Sequence, residues 1–130
     1  MLQKPERGRT VMSLGLPADI AESLGRIVSK WGSIVHIPPL FPTGRTLGLV
    51  REVAPDLVFV WTGTNPGASL LEVVRRAQPQ IPVVAVNLRV VNSEILDALD
   101  SGAVDYCTPP FDIPHIQWLL HASHRPACSC

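Results

Sequence analysis

Five consecutive residues, Leu57-Val58-Phe59-Val60-Trp61, are apolar at every position. They lie between Pro55-Asp56 on one side and Thr62-Gly63-Thr64-Asn65-Pro66-Gly67 on the other. A strand with one wet face alternates apolar and polar side chains, so an unbroken apolar run this short predicts a central strand covered on both faces. Val83-Val84-Ala85-Val86 repeats the pattern after Pro79 and Pro82. The palette agrees: 46% of the 130 residues are hydrophobic but only 5% are aromatic. Aliphatic side chains of this kind fill buried parallel strands and the helices that cover them. A chain of this length forms one domain with a real core.

The remaining segments alternate with these two. Val11 to Leu14 is the first predicted strand, closed by Gly15. Pro17 then opens a helix whose Ile20, Leu24, Ile27, Val28 and Trp31 share one face. Gly32 ends that helix and Ser33 to Ile37 forms a second strand. Pro38-Pro39 and Pro42-Thr43-Gly44 then hold off helix until Thr46, from where it runs to Val53. A helix from Ala68 to Gln78 carries Leu70, Leu71, Val74 and Ala77 inward. Another is N-capped by Ser93, turns Ile95, Ala98 and Leu99 inward, and stops at Gly102. Val104 to Cys107 is the last strand, and a final helix carries Ile113, Ile116, Leu119 and Leu120. Five strands alternating with five helices through short loops imply right-handed crossovers and one parallel sheet. The fold class is therefore α/β, doubly wound and flavodoxin-like, with strand order 2-1-3-4-5. Its ligand crevice lies at the carboxyl ends of strands 1, 3 and 4, at Leu14-Gly15-Leu16, Trp61-Thr62-Gly63 and Asn87-Leu88-Arg89.

Charge narrows the function classes. Lys plus Arg equals Asp plus Glu at 11 each, so the chain lacks the basic excess with which nucleic-acid binders neutralise phosphates. Direct nucleic-acid binding is not expected. No apolar run reaches the roughly 20 residues of a membrane span, and the first ten residues have no apolar signal core. A cytoplasmic protein with reduced thiols is expected, since Cys128 and Cys130 are too close together at the end to staple a domain.

Several short stretches resemble the receiver domains of two-component response regulators. They are Pro55-Asp56 before the apolar run, Ile81-Pro82-Val83-Val84, Ala98-Leu99 followed by Gly102-Ala103-Val104-Asp105-Tyr106, and Pro110-Phe111. The resemblance covers residues 9 to 122, leaving 1–8 as a disordered lead-in and 123–130 as a flexible tail. In that family a carboxylate ending the third strand is the phosphoryl acceptor, and Mg²⁺ is held by an acidic pair after the first strand. A hydroxyl residue follows the fourth strand and a Lys precedes a cis-Pro after the fifth. The carboxylate is the nucleophile, and metal and Lys neutralise the transferring group. On this chain those places fall on Trp61, on Leu14 and Gly15, on Asn87 and on Pro109. No carboxylate lies between Trp61 and Ala68 or between Met12 and Ala18. An indole cannot accept a phosphoryl group, and Leu14-Gly15 offers Mg²⁺ no oxygen ligand. The resemblance therefore implies a receiver without phosphorylation, with no bound metal or cofactor.

What the resemblance retains is the switch side. Tyr106 stands at the family's rotamer-switching aromatic, and a cis bond before Pro110 is expected; simple amphipathic packing of Tyr106 is the alternative. Trp118 points partly outward on the last helix and marks a contact surface, unless it folds back over the first helix. Trp61 either plugs the emptied site or stacks a planar ligand. Arg89 either contacts an anion in the crevice or is a solvated loop residue. His121, His124, Cys128 and Cys130 are ligand-type residues without the enclosing knuckle of a structural zinc site. Gly67-Ala68-Ser69-Leu70-Leu71 fails the last position of a nucleophile elbow, and no phosphate-binding glycine motif occurs. No enzyme activity is expected. The function implied is a regulatory domain acting through a protein partner or a homodimer, by its last strand and flanking helices. The chain suits either a stand-alone protein or one with a downstream output domain. The alternative is a small-molecule sensor using the crevice.

Overall fold

The structure, a computed structural model, describes residues 9–38, 42–62, 71, 72, 74–76, 78–89 and 91–123. The elements in chain order are β1 (Arg9–Leu14), α1 (Ala18–Val28), β2 (Gly32–Ile37), α2 (Thr43–Val53), β3 (Leu57–Trp61), β4 (Val83–Val86), α3 (Asn92–Asp100), β5 (Asp105–Cys107) and α4 (Ile113–Ser123). Leu71, Glu72, Val74, Arg75 and Arg76 are helical between β3 and β4. The expected lead-in 1–8, most of the loop after Trp61 and the tail bearing His124, Cys128 and Cys130 lie outside the described residues.

All strand pairs are parallel, in the order β2-β1-β3-β4-β5. This is the flavodoxin-like order that the sequence predicts. Strand parity divides the core in two. Val11, Phe59, Val84, Val86 and Cys107 face α1 and α4, where Leu24, Val28, Ile116 and Leu119 meet them. Met12, Leu14, Val58, Val60, Val83 and Ala85 face the other way, against Val50, Leu71, Val74 and Ala98. That is why β3 and β4 carry no polar residue: both of their faces are interior. Asp56 ties the start of β3 to β1, its Oδ2 accepting the Thr10 backbone N–H at 2.8 Å.

Local expectations fail where caps and turns decide. Helix α2 begins at Thr43 rather than Thr46. Pro42, with φ −59°, is the cap and its carbonyl accepts both the backbone N–H and the hydroxyl of Thr46. A first turn has unpaired N–H groups anyway, so a proline there opens a helix instead of barring it. Helix α3 starts at Asn92, with Val91 as an extended cap and no side-chain capping bond, so Ser93 lies inside the helix. Its buried stripe runs through Ala98 with Ile95 and Glu94 half-buried, which leaves Leu99 exposed. Ile113 opens α4 and is likewise exposed, while Phe111 joins the core cluster. The Pro109-Pro110 bond is cis. Among the described residues no helix is long and apolar enough to cross a membrane.

Candidate functional site

The carboxyl ends of the strands form one rim. Leu14 ends β1 fully buried, and Gly15 follows at φ +78°, a left-handed conformation that costs glycine least. Trp61 ends β3 half-buried and packs against the core cluster under α1. A Cβ on Gly15 would stand 3.7 Å from the Trp61 Cβ. An aliphatic side chain, a left-handed glycine and an indole thus occupy the ends of the neighbouring interior strands β1 and β3.

Polar groups collect beyond β4. Asn87, almost fully buried, donates from Nδ2 to Glu94 Oε1 at 3.0 Å, and its Oδ1 accepts the Leu88 N–H at 2.6 Å. Arg89 pairs with the other oxygen of Glu94. The Tyr106 hydroxyl donates to the Arg89 carbonyl at 3.0 Å. Glu94 lies in the first turn of α3, where the helix dipole favours a carboxylate. The phenol of Tyr106 is raised above its ordinary value, chiefly by burial, and so is neutral and able to donate at physiological pH. A cavity of about 100 Å³ beside them is bounded among the described residues by Thr62, Leu71, Glu94 and Asp97. A drug-sized ligand needs a pocket of roughly 300 Å³ or more.

Pro109 precedes the cis-proline and is half-buried. Trp118 is 62% exposed on α4. Leu96 and Leu99 of α3, Val104 ahead of β5, and Ile113 of α4 are exposed apolar residues too. His121 lies in the last turn of α4, and its three expected companions fall outside the described residues.

Two polar constellations escape the sequence. His115 Nε2 meets Asp105 Oδ2 at 2.6 Å, and its Nδ1 lies 4.0 Å from Cys107 Sγ. This has the outline of a nucleophile, base and orienting acid. The thiol, however, is buried and pushed up to about 12, first by burial and then by the Asp105 charge. It is not a thiolate near neutrality and carries no nucleophilic chemistry there. The alternation of Asp105 and Cys107 on one strand face was readable; the position of His115 was not.

The second pairs the fully buried Ser13 with His36, Oγ to Nδ1 at 2.5 Å. Burial lowers the His36 imidazole below its ordinary 6.5. The unfolded chain therefore holds more protons between that folded value and 6.5, so this contribution to stability is present above 6.5 and is lost as the pH falls through the folded value. We expect denaturation midpoints to drop on acidification below 6.5. His36→Gln should flatten that part of the profile, and an unchanged slope would remove His36 from the account.

No family model matches the chain. Over 77 residues it is 30% identical to the transcriptional regulatory protein KdpE of Staphylococcus aureus, a match that takes in 58% of this chain and 33% of that one. Over 89 residues it is 27% identical to a protein-glutamate methylesterase/protein-glutamine glutaminase of Syntrophomonas wolfei, covering 68% of this chain and 26% of the relative. The chain thus spans about a third or less of the curated relatives it matches. Among solved structures, a CheY-like protein (tadZ) from Pseudomonas aeruginosa superposes with a TM-score of 0.78 at 20% identity, covering 95% of this chain and 98% of that one. With the strand order, that likeness establishes the fold as the CheY-like arrangement of receiver domains.

Proposed function

We propose that the chain is a receiver-like regulatory domain of two-component signalling that works through protein contacts and is not phosphorylated. The observation that carries this reading is the end of β3, where Trp61 sits packed against the core cluster beside Leu14 and Gly15, so that neither a phosphoryl acceptor nor a cation's oxygen ligands stand on these two interior strands. Exposed apolar residues on α3, ahead of β5 and on α4, Trp118 among them, favour contact with a partner or a second copy. The likeness to KdpE, a transcriptional regulator, supports a role in transcription control together with a downstream output domain. Residues 9–122 form the regulatory unit in this reading. The sensor alternative has less behind it, since Arg89 is already engaged by Glu94.

Incubation with acetyl phosphate and Mg²⁺ tests the reading directly. Intact-mass spectrometry should show no gain of a phosphoryl group, and the Trp61 indole NMR signal should not move. An acid-labile phosphoryl adduct on any carboxylate would overturn it.

A further inference from the structure

At the opposite end of the sheet, where β1 and β2 begin, a cavity of about 440 Å³ opens between the end of α1 and the last turns of α4. That volume suits a small organic ligand. Arg9, Lys30 and His121 line it, with the Gln117 amide beside them and no carboxylate among the described lining residues. Among the described residues neither Arg9 nor Lys30 is in an ion pair. Trp31 also lines the cavity and packs against the core cluster at the same time, so the indole is braced from behind.

The placement of these cations has an ordinary explanation that falls short. The carboxyl ends of α1 and α4 meet here, and each carries roughly half a negative charge. Arg9 serves one of them, donating from Nε to the Leu120 carbonyl at 3.2 Å. Two helix ends offset about one positive charge, whereas Arg9 and Lys30 bring two. The chain as a whole is neutral, so among the described residues this surplus is local. Arg9 is held in place because it pairs with Gly32 in the β1–β2 ladder, at a contact too close for any side chain on residue 32.

We infer that this cavity binds a small organic anion built on a flat aromatic ring: the ring stacks on Trp31, and Arg9 and Lys30 hold the charged group. A guanidinium and an ammonium make charge-assisted hydrogen bonds to phosphate or carboxylate alike. The site is remote from Trp61, Asn87 and Tyr106, and its failure would leave the proposed function untouched.

The test is an NMR titration of the full chain with AMP and, separately, with 4-hydroxybenzoate, which distinguishes a phosphate from a carboxylate headgroup. At least one should move the Trp31 indole signal and the Lys30 and Gln117 amides saturably. Adenosine and inorganic phosphate, each with half of the recognition, should bind at least about tenfold more weakly than AMP wherever AMP binds. Lys30→Gln, at an exposed position, and Arg9→Gln should each weaken the bound probe several-fold, with the other signals unmoved. The inference is overturned if neither probe gives saturable shifts by about 5 mM, or if the shifts fall at Thr62 and Asn87. Equal binding of adenosine or of phosphate alone overturns it too.

Discussion

Phe59→Ala is expected to destabilise the domain by about 3–5 kcal/mol, the largest single loss available from the core. Phe59 is fully buried and leads the buried side chains by size. It sits on β3, between β1 and β4, on the face covered by α1 and α4. Truncation would remove the ring's transfer free energy and leave a cavity walled by two strands that cannot collapse without breaking ladder bonds. With a urea slope of about 1–3 kcal/mol/M for a small domain, the midpoint should fall by about 1 M or more with the slope unchanged. As a comparison, Trp118→Ala at the exposed surface should stay within about 0.5 kcal/mol of the parent. A loss below about 1 kcal/mol at Phe59 would mean that the two-sided core is not packed as described.

Gly32→Ala should cost about 1–3 kcal/mol despite adding a single methyl group. A Cβ there would stand 2.1 Å from the Arg9 carbonyl oxygen and 2.8 Å from the Arg9 nitrogen. Both are backbone atoms of the neighbouring strand, so nothing flexible can yield. The β1–β2 ladder must separate at its first pair, Arg9 with Gly32. Amide hydrogen exchange gives the distinguishing readout. Protection should be lost at the start of β1 and β2 while β3 and β4 keep theirs. Gly44→Ala, which meets no atom within 4 Å, should be neutral or mildly stabilising, because alanine is the better helix former. Equal effects at both glycines would show that backbone approach is not the cause.

Much of the fold was legible because burial on both faces leaves a direct trace. Leu57 to Trp61 and Val83 to Val86 had to be interior strands, and alternation with helices then pointed to one parallel sheet. Boundaries were harder. Pro42-Thr43-Gly44 looks like a barrier when read residue by residue, yet the proline satisfies the one place in a helix where its missing N–H costs nothing. Leu99 looked interior by spacing, but α3 meets the sheet through Ala98, and a residue 100° further round faces solvent. At the candidate site, the residues at the strand ends could be assigned from the resemblance alone, position by position. Their contacts could not. Nothing in the order of residues tells that Glu94 bridges Asn87 and Arg89, or that His115 reaches Asp105 across a loop containing a cis-proline.

The sequence alone determined the layer architecture and the side-chain chemistry at each strand end, since hydrophobic periodicity and turn residues act locally and survive in one dimension; the strand order was expected as the usual one for five such strands, and the tertiary structure shows it. Only the tertiary structure decided which charges meet. Arg89 is neutralised by Glu94, five residues on, whereas Arg9 and Lys30 converge with His121 beside Trp31 from segments up to 112 positions apart. Electrostatic pairing depends on distance in space, and chain separation carries no record of it.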